Sequence, residues 1–391
     1  MPSSGSLYEI DVPPSWETTA PLDAAGLREV FDAATELTVG VEEELLLVDP
    51  ERLDLAPQID AVLDRLGGDG RYHRELRACQ LEIVTPVCST AAEACRELSD
   101  ARRSLISSLD GSVRILSAGT HPSSRAWGDV TGAARYKAIA DEYTWAANRS
   151  LVCGLHVHVA VGGAERSLAV YNALRSFLPE LGALAANSPY FEGNDTGLCS
   201  MRPYLNKAFP RAGVPPAFDT WEDYASFVDW GRRGGLFPDP SHFWWDLRLH
   251  PVHGTIELRV ADAQTAVEDS TAVAAVSHCL IALLAERWEA KEPLPVHDAY
   301  RINENAWRGL RYGVRGTLVD LDTGDVEPTR DRLARLLDEL EPVAARLDCV
   351  DELAGARTLL GGNGAARQRY VFERQGMQGL VRWLVEQTEA Q

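Results

Sequence analysis

The sequence predicts an α+β fold on a mostly antiparallel sheet, and three observations support it. About six strand-like segments interleave irregularly with helical ones, unlike the regular alternation that builds a doubly wound parallel sheet. Several of those strands alternate apolar and charged residues, as antiparallel strands with one buried face do. No internal repeat or low-complexity linker divides the 391 residues. One domain is therefore expected, although roughly 150 residues per domain would allow two.

Residues 1–36 are polar and proline-bearing, with one helical pattern over Pro21–Ala34. They read as an N-terminal extension laid over a domain spanning 37–391. At Leu37 the texture changes to ELTVGVEEELLLVD, which predicts a strand over 38–48. Strand patterns recur at 79–85 (CQLEIVT), 112–118 (SVRILSA), 151–161 (LVCGLHVHVAV), 244–249 (WWDLRL) and 254–261 (GTIELRVA). Apolar residues at i, i+3, i+4 and i+7 predict helices over 57–66, 90–109, 166–186, 220–233, 265–288, 328–347 and 375–388. Clusters of Gly, Pro, Asn and Asp mark 187–219 and 361–368 as loops.

Hydrophobic residues make up 45% of the chain and charged ones 25%, the balance of a globular protein that can bury a core. With 58 acidic against 38 basic residues the net charge is −20. That argues against a nucleic-acid partner, whose phosphates require a basic face. It argues equally against a polybasic membrane contact, and no run approaches the roughly 18 consecutive apolar residues of a spanning helix. The N-terminus lacks the basic and apolar regions of a secretory signal. Seven cysteines without a CxxC fit neither a disulfide framework nor a zinc knuckle. A cytoplasmic setting is the expectation, and the oligomeric state stays open, a homo-oligomer included.

The main inference concerns strand faces, because residues two apart on a strand point the same way. In VGVEEELLLVD, Glu42 and Glu44 point together, against Val41, Glu43 and Leu45. Glu82 shares a face with Gln80 and Val84, opposite Leu81 and Ile83. His156 and His158 oppose Leu155, Val157 and Val159, and Thr255, Glu257 and Arg259 oppose Ile256, Leu258 and Val260. A solvated face explains any one of these strands. Four together mass carboxylates and imidazoles, and carboxylates without a counter-ion repel one another. Mg²⁺ or Mn²⁺ relieves that repulsion, since hard cations take carboxylate oxygens.

The residues alone leave the chemistry open. A cation shared between carboxylates and substrate phosphates fits a nucleotide enzyme. Neither GxxxxGKS/T nor GxGxxG occurs, so ATP would rest on cations and on arginines such as Arg202, Arg259, Arg311 and Arg367. The alternative is a metal-dependent amide hydrolase, with His156 and His158 as an HxH pair and Glu257 as base. Cys199 has no base placed beside it in sequence and reads as a packed thiol. His250 and His253 read as turn histidines, and Trp244 and Trp245 as packing residues.

Seven segments occur in a fixed order: VGVEEELLLVDP, the E-x6-E of ELRACQLEIVTPV, CGLHVHVAV, NSPYFEGNDTG, WWDLRLHPVHGTIELRVAD, ENAWRGLRYG and GNGAARQR. Together they resemble the glutamate–cysteine ligase type 2 family, the carboxylate–amine ligases, from about residue 37 to the C-terminus. The resemblance implies a glutamine-synthetase-like fold, a curved, mostly antiparallel sheet forming a funnel with helices packed outside. It implies ATP-dependent amide formation between a small carboxylate, an amino acid by family analogy, and an amine, through an acyl phosphate, with Mg²⁺ or Mn²⁺. By position, Glu42 and Glu44 match a first metal pair, Glu75 and Glu82 a second, and His156 a metal-cluster histidine. Glu257 matches a carboxylate bridging metal and phosphate, and Arg259 the arginine that steadies the transferring phosphoryl. Arg202, Arg135, Tyr136, His158, Arg311 and Arg367 become candidate ATP or substrate contacts, and Asn187–Gly197 the shaper of the amine side.

The departures fall on the substrate rim. In DTGLCSMRPYLNKAFP the family's aromatic before Ser200 is missing, Met201 replaces a tyrosine and tryptophan is absent. The resemblance implies retained ATP chemistry, with a γ-glutamyl amide as one product class, and the departures imply an altered acceptor amine or an altered acid.

Overall fold

The computed structural model describes residues 24–126, 128–238 and 240–390. Seven strands form the main sheet: β1 (Val39–Val48), β2 (Tyr72–Arg74), β3 (Gln80–Val84), β4 (Arg114–Leu116), β5 (Gly154–Ala160) and, further along the chain, two more. Four two-residue strands intervene, β6 (Tyr190–Phe191), β7 (Asn194–Asp195), β8 (Ala212–Gly213) and β9 (Trp244–Trp245). The sheet then resumes with β10 (Leu247–His250) and β11 (Thr255–Asp262), and a separate hairpin follows, β12 (Thr317–Val319) and β13 (Val326–Pro328). The sheet order is β10–β11–β5–β1–β3–β2, with β4 paired to the end of β1. Every pairing in it is antiparallel, the α+β architecture that the strand patterns predict.

The helices are α1 (Ala24–Asp32), α2 (Ile59–Arg65), α3 (Ala91–Ser108), α4 (Ala134–Arg149), α5 (Ala164–Leu174), α6 (Leu178–Leu184) and α7 (Arg202–Asn206). They continue with α8 (Trp221–Arg233), α9 (Val267–Glu289), α10 (Ala299–Tyr312), α11 (Thr329–Arg346), α12 (Val350–Gly361) and α13 (Gly364–Glu389). The apolar sheet face, with Val41, Leu45, Leu81, Ile83, Leu155, Val157, Ile256 and Leu258, is buried in one core with residues of α3, α5 and α9. α9 is long and apolar enough to cross a membrane, with mean hydropathy 1.4 over its most apolar window, yet 83% of that window is buried inside the protein.

A buried ion pair sits on this apolar side. Glu43 is fully buried and takes both oxygens to Arg102 of α3, at 2.6 Å each. Ser270 donates to Glu43 at 2.6 Å, and Arg102 donates onward to the carbonyls of Gln264 and Thr265. The pair therefore bolts α3 to β1 and to the entry of α9.

Several expectations are corrected. The helix over 166–186 is broken by a 3-10 turn at Arg175–Phe177, because Pro179 cannot donate inside a helix and sits instead in the first turn of α6. The strand over 244–249 is interrupted at Asp246. Residues 364–368 belong to α13, whose start is capped by the Asn363 side chain accepting from Ala366 N. α4, α10, α12, β2 and the β12–β13 hairpin carry no predicted counterpart. The helix over 21–34 is α1, with Pro21–Asp23 outside the described residues. Leu27 and Phe31 of α1 are buried, and Phe31 meets Trp221 of α8 edge-on at 5.2 Å.

β11 holds an irregularity that matters to the site. Leu258 pairs with Val157, but Ala261 pairs with Leu155, so β11 spends one extra residue. This bulge brings Asp262 opposite Gly154, onto the face of Glu257, although strict alternation would turn it into the core.

Candidate active site

The other sheet face carries the charged residues. Glu42 lies opposite His156, Glu44 opposite Glu82, His158 opposite Glu257, and Glu257 opposite Arg248. Four adjacent strands thus deliver one contiguous row of acids and imidazoles. Above it is a cavity of about 220 Å³, lined by Glu42, Glu44, Glu75, Glu82, His156, Arg135, Tyr136, Arg202 and Arg259 among others.

Three sets of side chains bring ligand-type atoms within 4.8 Å of one another: Glu42, His158 and Glu257; Glu42, Glu82 and His156; and Glu44, Glu75 and Glu82. Neighbouring sets share Glu42 or Glu82, so the sets form a chain along the face. The donors are carboxylate oxygens and imidazole nitrogens, the chemistry that Mg²⁺ or Mn²⁺ takes. His158 adds a specific sign. Its Nδ1 meets Thr255 Oγ1 at 2.9 Å, while Nε2 is buried and makes no hydrogen bond, 3.2 Å from Glu42 and 3.8 Å from Glu257. A cation between those three groups would use that lone pair. The residues present therefore fit such an ion.

The electrostatics agree. Burial, with Glu75 close by, pushes Glu44 up to about 7. Burial, then repulsion from Glu42, Glu75 and Glu44, holds Glu82 well above the carboxylate range. Glu257 behaves oppositely: burial opposes its charge, but Arg248 and Arg259 hold it well below. Arg248 grips Glu257 with two bonds of 2.5 and 3.0 Å, and Arg259 donates to the same carboxylate. Burial and the Arg259 charge depress His156 to about 3, so it is a neutral ring able to accept from Arg202 at 3.3 Å.

Arg202 reaches this place through a gap. It also donates to the Arg259 carbonyl at 2.9 Å, and a Cβ on Gly154 would lie 2.2 Å from its Nη2. Only glycine admits the guanidinium here. Tyr136 of α4 donates toward the Arg74 carbonyl and the Glu75 carboxylate, at 2.8 and 3.2 Å. α4, which has no predicted helix, thereby covers the Glu75 side of the cavity.

Three expected contacts do not line this cavity, His158 lying beneath the row of acids against Thr255 and the other two further off. Arg367 pairs with Asp269 at the start of α9, and Arg311 lies over the Tyr312 ring beside Gly197. Neither lines the cavity, nor does any residue of Asn187–Gly197. That loop is anchored by Asp262, which takes Asn187 N, Ser188 Oγ and Ser200 Oγ at 2.7, 2.8 and 2.9 Å, while Leu310 O receives Cys199 N at 2.8 Å.

Residues outside the candidate set also line the cavity, among them Gln80, Asn206, Phe209, Ser241, Trp244, Arg248 and His250. Arg248 was accessible to face counting on the 244–249 strand. Phe209 and Asn206 sit in a segment with no period to read. His250 and His253 are more than turn residues, since their rings stack at 4.4 Å and both flank His158.

Fold and face together define a cavity on an antiparallel sheet lined by carboxylates and imidazoles that fit a cation, with arginines at its wall. Comparison with known proteins gives the family: the model of glutamate-cysteine ligase family 2 matches residues 38–387. A relative from Rubrobacter xylanophilus, named "Putative glutamate--cysteine ligase 2-1", is 40% identical over 357 residues, 90% of this chain and 94% of that one. The fold is shared with the glutamate–cysteine ligase of Francisella tularensis solved with AMP, at a TM-score of 0.66, 13% identity and coverage of 92% and 91%. It is shared also with a bifunctional glutathione synthetase from Pasteurella multocida, at 0.68 and 15%, covering 93% of this chain and 53% of that one. The chain belongs to glutamate–cysteine ligase family 2, and so among the ATP-dependent ligases that form carbon–nitrogen bonds.

Proposed function

We propose that this protein activates a small carboxylate with ATP as an acyl phosphate and couples it to an amine, with a γ-glutamyl amide as the product class and an acceptor other than the one its relatives' names carry. The observation that supports this reading is the chain of three overlapping cation sets, with Arg259 and Arg202 beside them on one cavity wall. Bound Mg²⁺ or Mn²⁺ would neutralise phosphate charge there. Arg259 turns its guanidinium to the transferring phosphoryl, whose negative charge it balances. Glu257, kept ionised by Arg248, holds Arg259 in that direction. Arg202 and Arg135 offer N–H donors to a substrate carboxylate, bidentate partners for its oxygens. The amine then attacks the activated carbonyl, phosphate leaves, and ADP, phosphate and amide result.

The test is an ATP-consumption screen over amino acids as donors and then over amines, with mass detection of the coupled product. ADP, phosphate and a new amide in equal amounts are expected. Nucleotide-independent cleavage of an amide would overturn the reading in favour of a hydrolase.

A further inference from the structure

Leu76, Ile139 and Phe209 form, with Tyr143 and Trp244 packed on them, a small apolar cluster separate from the main core. Four of its members, Leu76, Ile139, Phe209 and Trp244, line the cavity. An apolar cluster that opens on a polar cavity is a binding wall rather than a support for the fold. It is also rigid. The Phe209 and Trp244 rings stack at 4.7 Å and 22°, Tyr143 meets them edge-on at 5.5 and 5.0 Å, and Arg211 donates to the Tyr143 hydroxyl at 3.0 Å.

The two organic substrates make different demands on this cavity. The acid is anionic and is met by Arg135 and Arg202. The amine must attack as a neutral group, and its acyl partner must be shielded from water, which an apolar wall does. Asn187–Gly197, the loop expected to shape the amine side, does not line the cavity, so the wall on Phe209 and Trp244 takes that role.

We propose that Ile139, Phe209 and Trp244 form the side-group subsite of the acceptor amine, selecting amines with a branched aliphatic or aromatic group over small or polar ones; this rests on the ligase reading above. With the donor acid found by the screen, glycine, L-cysteine, L-leucine and L-phenylalanine are compared as acceptors. Leucine or phenylalanine is expected to give the highest kcat/KM. Trp244→Ala should lower that value about 10- to 100-fold and the value for glycine by a much smaller factor, and Trp244→Phe should restore most of it. Equal use of all four amines, or a uniform loss in Trp244→Ala, overturns the subsite while leaving the ligase intact. Should no amine give product, the ligase reading fails, and calorimetry of L-phenylalanine with Mg²⁺ and ADP decides the subsite. Binding to the wild type that Trp244→Ala loses sustains it, and no binding overturns it.

Discussion

Glu44 of β1 and Glu82 of β3 stand directly opposite each other, a buried and a half-buried acid on neighbouring strands whose charges repel. That arrangement is costly to the folded chain by itself and useful only with a cation. Glu82→Gln should therefore act in opposite directions on stability and activity. In chelator the variant should be more stable than the wild type at pH 8, by on the order of 1–3 kcal/mol, read by denaturant unfolding. Its ATP-dependent ligation should fall by at least about 100-fold. A variant both less stable and fully active would refute the assignment.

The same acids set a pH dependence. Glu44, pushed up to about 7, is protonated in the folded metal-free protein at pH values where the unfolded chain has lost the proton. Its contribution is therefore whole below about pH 4.5 and is lost as pH rises through 7, with Glu75 and Glu82 raised in the same direction. Above the ordinary histidine range, where the buried histidines with depressed values no longer raise stability with pH, the Tm in chelator should decline from pH 7 to 8.5, and the gain from added Mg²⁺ should grow over that range. A Mg²⁺ gain that shrinks toward pH 8.5 would count against cation binding here.

Gly154→Ala should displace Arg202, since its Nη2 occupies the space of the new methyl group. A loss of roughly 100-fold in kcat/KM is expected, with a far-ultraviolet circular dichroism spectrum like the wild type's. Wild-type kinetics in this variant would show that Arg202 has no part in turnover.

The Glu43–Arg102 pair lies across the sheet from the cavity and should matter to stability alone. Arg102→Met leaves an unpaired buried carboxylate and should cost about 3–5 kcal/mol. Converting Glu43 to Met as well should recover much of the loss, because two apolar groups replace a satisfied pair. Calorimetric unfolding of the single and double variants distinguishes this from a simple packing defect.

Much of this architecture could be read from the chain. Alternation in four strands placed Glu42, Glu44, Glu82, His156 and Glu257 on one face, and the registers bear this out. Glu75 lies outside any strand and came only through the family resemblance. α4 escaped notice because few of its residues are buried, so it lacks a strong apolar stripe. The positions of Arg311, Arg367 and the 187–197 loop depend on how distant segments dock, which no local period records. Trp244 illustrates the same limit. Its ring belongs to the cavity only because Phe209, 35 positions earlier, lies flat against it.

The extra residue in β11 gives that strand a phase. Glu257 ahead of it faces the row of acids and imidazoles, and Asp262 beyond it clamps the segment bearing Ser188 and Ser200, both from a single side of the sheet. Straightening the strand with its residue count unchanged would turn Asp262 inward, releasing Asn187 and both serines together. Changes of chain length in lineages of this protein should thus be tolerated at the β12–β13 hairpin, whereas a residue inserted beside Leu258 would have to be absorbed in a wider bulge to keep both faces.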